Sequence, residues 1–146
     1  PIEQFTKGQF QRVIGDDEVY ADGVRRVVLC SGRVYFDLVR ARAQRGVEDL
    51  AIVRVEQFYP WRPELVRAAV AEFKNAGEFI WVQDEPTNMG PWEFLRPRLQ
   101  ELFGHEHVSV ISRDASASPA TGSGKAHAIE QTQLIRAVFG GDVEAE

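Results

Sequence analysis

The chain has 146 residues, 44% of them apolar, with 17 basic against 22 acidic side chains and a single cysteine, Cys30. That is about one domain at roughly 100–200 residues each, enough for one packed core and too short to carry a multi-domain enzyme whole. One cysteine excludes an internal disulfide or a cysteine-built zinc cage, and a net charge of −5 with a pI near 5.3 leaves no global basic footprint, so neither nucleic acid nor an anionic membrane is an expected partner.

Residues 1–23 hold Gly8, Gly15 and the acidic run Asp16-Asp17-Glu18 without a sustained apolar period. They read as an exposed lead-in or a linker from a preceding domain, with a structured arm as the alternative. The chain opens on Pro1 without a cationic, apolar leader and holds no apolar run of about 18 residues, so the expectation is an intracellular fragment or processed product that does not span a membrane. From residue 24 to 140, short apolar runs alternate with helical periods. Val27-Val28-Leu29-Cys30, closed by Ser31-Gly32, is too short for a helix and reads as a strand buried on both faces. Val34, Tyr35, Leu38 and Val39 then form an apolar stripe, with Arg40, Arg42 and Arg45 in the last turns and Gly46 just past the helix end.

Leu50 to Val55 is the second predicted strand. Pro63 suits the first turn of the next helix, whose Leu65, Val66, Ala69, Val70 and Phe73 recur at helical steps before Asn75 and Gly77 end it. Phe79 to Val82 is the third strand. Trp92 to Phe103 reads as a helix that Pro97 either kinks or shortens. Val108 to Ile111 is the fourth strand, and His127 to Phe139 the last helix, stopped by Gly140-Gly141 before an acidic tail at 141–146. Strand and helix alternating four times argues for the α/β class: a mostly parallel sheet with helices on both faces.

In such sheets ligands collect beyond the carboxyl ends of the strands. The first exit, Cys30-Ser31-Gly32-Arg33, offers backbone N–H groups and an Arg fork to an anion, although a Ser-Gly turn beside an inert thiol satisfies the same residues. A phosphatase-like loop is excluded because Phe36 stands where its Arg belongs. At the second exit Arg54 and Glu56 alternate to one side, ahead of Gln57 and the stiff Tyr59-Pro60-Trp61. An apolar strand ending in Arg-x-Glu needs partners at an edge or an interface, or ends exposed. At the third exit Asp84 and Glu85 are neighbours that point opposite ways, so a shared proton or metal is awkward, and Gln83 to Trp92 reads as a structured polar turn around Asn88.

The fourth exit, Ser112 to Lys125, is small and hydroxylated, with Arg113, Ser116, Ser118 and Lys125 as phosphate or carboxylate contacts, against the plainer reading of a close-packed loop. A Walker loop fails because Pro119 stands at a required Gly and Ala126 at a required Ser or Thr. His105 and His107, with Glu101 and Glu106, fall short of a convincing zinc set, and His127 stands alone. Ser123 lies within Gly-Ser-Gly without the full nucleophile-elbow spacing. The sequence therefore presents no complete catalytic, cofactor or metal site.

Four motifs in order carry a resemblance over residues 24–139: Val28-Leu29-Cys30-Ser31-Gly32-Arg33-Val34-Tyr35, Ala51-Ile52-Val53-Arg54-Val55-Glu56-Gln57-Phe58-Tyr59-Pro60, Trp81-Val82-Gln83-Asp84-Glu85-Pro86-Thr87-Asn88-Met89-Gly90-Pro91-Trp92, and Ser116-Ala117-Ser118-Pro119-Ala120-Thr121-Gly122. Together they resemble the C-terminal domain of the 2-oxoglutarate dehydrogenase E1 component. Arg33 stands where Lys is common, Asp84 where Glu is common, and Ser112-Arg113 where Gly-Arg is usual. The resemblance implies a transketolase-type C-terminal domain at 24–140: three layers, with a mixed, mostly parallel five-stranded sheet and one antiparallel strand. The periodicity supplies four strands, so the fifth is sought near 113–120 or in the N-terminal lead-in.

It further implies a parent oxidoreductase of the tricarboxylic acid cycle, cytoplasmic or in the mitochondrial matrix. That enzyme decarboxylates 2-oxoglutarate with thiamine diphosphate and magnesium and passes the succinyl unit to a lipoyl carrier, while relatives release succinic semialdehyde or condense the carbanion with glyoxylate. The cofactors belong to upstream domains, so this chain alone is expected to be inactive. Its implied partners are those domains, a homodimer mate and the lipoyl-bearing E2 component, with AMP or acetyl-CoA as effectors; Arg33, Arg54, Gln57, Arg113, Ser116, Ser118 and Lys125 are the candidate effector or interdomain contacts. The alternative is a freestanding nucleotide- or CoA-binding regulatory module, and a small hydrolase using Cys30 or Ser123 is the remaining reading.

Overall fold

A computed structural model describes residues 8–140. The tail expected at 141–146 and the first seven residues of the lead-in lie outside them. The strands β1 (Val13–Ile14), β2 (Arg26–Cys30), β3 (Leu50–Val55), β4 (Glu78–Pro86) and β5 (Val108–Arg113) alternate with the helices α1 (Val34–Arg45), α2 (Pro63–Val70), α3 (Trp92–Phe103) and α4 (Gly124–Phe139). They form one sheet in the order β1-β3-β2-β4-β5. β2 is parallel to both β3 and β4, and β4 to β5, while β1 runs antiparallel to β3 with Val13 opposite Val55. The α/β class with a mixed five-stranded sheet is therefore observed.

The central strands are apolar at successive residues because both of their faces are covered. Val27, Leu29, Ala51, Val53 and Trp81 pack with Val66 of α2 and Trp92, Leu95 and Leu99 of α3. Val28, Cys30, Ile52, Ile80 and Val82 pack on the opposite side with Val34 and Leu38 of α1 and Leu134, Ile135 and Val138 of α4. Helix α1 ends as its sequence requires. Gly46 takes φ +61° at its C-cap, and a Cβ there would meet nothing within 4 Å. Gly46→Ala should thus isolate the cost of the left-handed backbone, about 1–2 kcal/mol, read as a lower urea midpoint at unchanged m-value.

Several boundaries differ from expectation. The fifth, antiparallel strand lies at Val13–Ile14, in the lead-in that is one of its two expected places, but the lead-in is not simply exposed, because it buries Asp16. Two residues are too few to show a period, which is why the pattern missed them. Helix α2 stops at Val70 rather than near Asn75, and Phe73 reaches the core from the following turn. Pro97 lies inside an unshortened α3 on its exposed side, where water can serve the carbonyl left without a donor. Helix α4 starts at Gly124, three residues earlier than expected, because Ser123 Oγ accepts from Ala126 N–H. Strand β4 continues through Asp84 and Glu85 to Pro86, with a register irregularity between Val82 and Pro86, where a polar turn was expected.

The chain leaves β2 through α1 for β3 on one side, then returns through α2 to β4 on the other. The carboxyl ends of β2 and β4 thus form the switch point of the sheet, where the candidate site lies.

Candidate functional site at the carboxyl ends of the strands

Strand β2 delivers Arg33 to the start of α1, across the switch point from β4. Its guanidinium lies 3.5 Å from Asp84 and 3.9 Å from Asp37, with Nη2 3.4 Å from His127 Nε2, joining β4, α1 and the first turn of α4. Asp37 also accepts from Gln131 of α4. A groove of about 290 Å³ opens here, with Ser31, Gly32, Arg33, Phe58, Trp81 and Asp84 among its lining. Cys30 lies buried below this exit. Desolvation pushes its thiol well above the ordinary range, which leaves it without the thiolate a nucleophile needs.

The exit of β3 is assembled locally. Arg54 Nε donates to Glu56 Oε1 at 2.9 Å, and the same oxygen accepts from Gly32 N–H at 3.3 Å. The Arg54 guanidinium lies 4.6 Å from the Tyr35 ring centre and 5.8 Å from that of Phe36. Gln57 turns away to donate to the Pro60 carbonyl at 3.4 Å.

Arg113, at the end of β5, is committed to its own loop. It donates to the Asp84 carbonyl, to Thr121 Oγ1 and Glu130 at 3.1 Å each, and to the Pro119 carbonyl at 2.8 Å. Asn88 braces the other side of the loop by exchanging two 3.0 Å hydrogen bonds with the Ser116 backbone. Ser116 Oγ accepts from Ser118 N–H, and Ser118 Oγ donates to the Ala120 carbonyl. An open groove of about 710 Å³ runs past this loop between β5 and α4, with Ile111 and Leu134 among its apolar wall. Lys125 is exposed on the first turn of α4.

The seven candidates share one end of the sheet, yet they form separate networks rather than a single anion cradle. Arg33, Arg54 and Arg113 each already face a carboxylate, and two of these carboxylates, Glu56 and Glu130, hold them in place. The residues that sequence reasoning passed over are Glu130 and Thr121, which close the loop, and Tyr35 and Phe36, which flank Arg54. Among the described residues no group of three or more His, Cys, Asp or Glu side chains could hold a metal ion.

Glu130 carries a pH consequence. Its hydrogen bond from Thr121, and next that from Arg113, hold its carboxyl below the ordinary 4.5. A depressed folded value means that the loop contact is at full strength above the ordinary value and is lost as pH falls through the folded one. The protection of amides in the 114–122 loop, measured against the intrinsic exchange rate at each pH, is expected to fall over that acid window, and Glu130→Gln should remove that pH-dependent loss of protection.

The family described as 2-oxoglutarate dehydrogenase C-terminal matches residues 1–139. The chain is similar to the 2-oxoglutarate dehydrogenase E1 component of Cupriavidus necator, 40% identical over 141 residues, which is 95% of this chain and 15% of the relative. It is 37% identical to the E1 component of Haemophilus influenzae over 92% of this chain and 14% of that protein, and 36% identical to that of Brucella anthropi over 92% and 15%. The chain thus spans about one seventh of the length of these relatives.

Proposed function

Because the chain belongs to the 2-oxoglutarate dehydrogenase C-terminal family, we propose that it is the C-terminal assembly and regulatory domain of an E1 subunit that decarboxylates 2-oxoglutarate. The observation that carries this reading is the family match along nearly the whole chain, to proteins about seven times longer. The local geometry agrees with it. Strand-exit charges neutralised in separate pairs suit a domain that holds surfaces in register better than one that gathers charge on a reacting atom.

In this reading thiamine diphosphate and magnesium bind upstream of the chain. The cofactor supplies the electron sink for decarboxylation there, and the succinyl unit passes to a lipoyl group on E2. A homodimer in the cytoplasm belongs to the same proposal. Among the described residues no helix is long and apolar enough to cross a membrane.

The test is the denatured intact mass of the native subunit, followed by assay with thiamine diphosphate, magnesium and 2-oxoglutarate. A mass on the order of 100 kDa, several domains, with substrate-dependent CO₂ release is expected. A mass near 16.5 kDa overturns the reading in favour of a freestanding binding module.

Regulation by AMP or acetyl-CoA would draw on Arg33 and Lys125, because the Arg33–His127 contact brings the first turn of α4 beside Arg33. Titration of both effectors against the full-length enzyme is expected to show weaker activation in the Arg33→Ala/Lys125→Ala form. Unchanged activation in that form removes these two residues from the role.

A further inference from the structure

The Arg54 fork is fixed in place and only one third used. Nε is bound to Glu56, which is itself held by Gly32 N–H, and the rings of Tyr35 and Phe36 flank the guanidinium. The two rings pack edge to face at 5.3 Å. Among the described residues neither terminal nitrogen of Arg54 has a hydrogen-bond partner, and neither is sealed from solvent. Beside them Phe36 leaves 58% of its surface in water. A pre-positioned arginine next to an uncovered aromatic ring has the composition of an interface hot spot, because the ordering cost of the long side chain is met before a partner arrives.

From this geometry we infer that Arg54 and Phe36 form the anchor of an interface whose partner presents an Asp or Glu carboxylate to the free Nη1/Nη2 fork and an apolar side chain to the Phe36 ring. Two terminal N–H groups in one plane match a carboxylate bidentately. Glu56 lies against the same guanidinium, so any anion at the fork meets its charge, and a monoanionic carboxylate meets less repulsion there than a phosphate of roughly −1.5 to −2. The exposed ring also asks for an apolar cover that a free phosphate lacks.

The occupant is the upstream part of the same polypeptide. This rests on the proposed function: the chain spans only 15% of the first relative, so the larger part of such a subunit lies outside residues 1–146 and must meet this domain somewhere. The strand exit at Arg54 is reached directly by the N-terminal arm, since Arg12 O accepts from both Glu56 and Gln57 N–H.

The experiment places p-benzoylphenylalanine at position 36 of the full-length polypeptide carrying this chain, irradiates it and maps the adducts by mass spectrometry. The expected adduct joins position 36 to a peptide upstream of this chain containing Asp or Glu. Its yield should fall about tenfold with Arg54→Gln and less with Arg54→Lys, which keeps the charge but not the fork. Unchanged amide exchange in β3 of the Arg54→Gln form would show that the domain itself is intact. Adducts confined to residues 1–146 of either copy, adducts to a different polypeptide, no adduct, or a yield indifferent to Arg54 would each overturn the inference. A 16.5 kDa subunit sinks the proposed function itself, whereas a long subunit with any of those outcomes sinks only this interface.

Discussion

Arg42→Met is expected to destabilise the domain by about 3–5 kcal/mol, the cost of stripping the partner from a buried charge. Asp16 and Arg42 are both nearly inaccessible, at 7% and 6% exposure. Arg42 donates to both carboxylate oxygens of Asp16 and to Glu18 at 3.1 Å, and Asp16 also accepts from Ile52 N–H at 2.7 Å in the middle of β3. The pair therefore ties the N-terminal arm to α1 and to the sheet at once. Removing the guanidinium leaves a carboxylate buried among apolar strands.

The Ile52 amide is a reporter of this junction. Its exchange should accelerate by on the order of 100-fold or more in Arg42→Met, if the arm opens locally before the domain unfolds. Asp16→Leu combined with Arg42→Met should cost less than the sum of the two single changes, because the double variant strands no charge. It should not return to wild type, since Ile52 N–H remains without its acceptor. Strict additivity of the two single losses, or an Ile52 exchange rate untouched by Arg42→Met, would show that the pair does not hold the arm.

The second large effect is expected at Gln83, which is 2% exposed at the top of β4. Its side-chain carbonyl accepts from Trp81 Nε1–H at 2.9 Å, and its NH₂ donates to the carbonyls of Met89 at 2.8 Å, Pro86 at 3.1 Å and Glu85 at 3.3 Å. One amide thus closes the loop that carries the chain from β4 into α3 and satisfies the indole of the largest core residue. Gln83→Leu keeps the volume but orphans the indole donor and at least two carbonyls. At about 1–3 kcal/mol for each buried orphan, a loss of about 3–5 kcal/mol follows, allowing for partial relaxation.

Gln83→Glu should do no better, because an ionised carboxylate only accepts and would face three carbonyl oxygens. The measurement is the denaturation midpoint of each variant, followed through the near-ultraviolet signal of the buried indole. The loop is tight around this amide. Gly90 sits at φ +66°, and a Cβ added there would lie 3.1 Å from Gln83 Nε2, so Gly90→Ala should show the same loss in milder form.

The strand-exit arginines could be picked out because doubly buried strands end abruptly and whatever polar group follows must find water or a partner. That reasoning located Arg33, Arg54 and Arg113 and put Arg54 and Glu56 on one side, since residues two apart on a strand share a side, but it sought their partners elsewhere rather than in each other. It could not tell that Arg113 is consumed by Thr121, Glu130 and the Pro119 carbonyl. Those partners lie in a segment with no period of its own, and their approach depends on where α4 packs. For the same reason His127 read as isolated, although α4 carries it to Arg33 across 94 residues of sequence.

Local chemistry accounts for the regular elements. Successive apolar residues made the central strands buried on both faces, three- and four-residue steps placed the helices, and Gly46 ended α1 because only a residue without a Cβ enters that conformation freely. The tertiary structure alone decided the rest. Val13–Ile14 is a strand only because β3 offers it an edge, and an acidic triplet typical of an exposed linker contributes Asp16 to the interior only because Arg42 and Ile52 N–H meet it there. Periodicity reports which face of a segment avoids water, whereas pairing of polar groups depends on the positions of other segments, which no local pattern encodes.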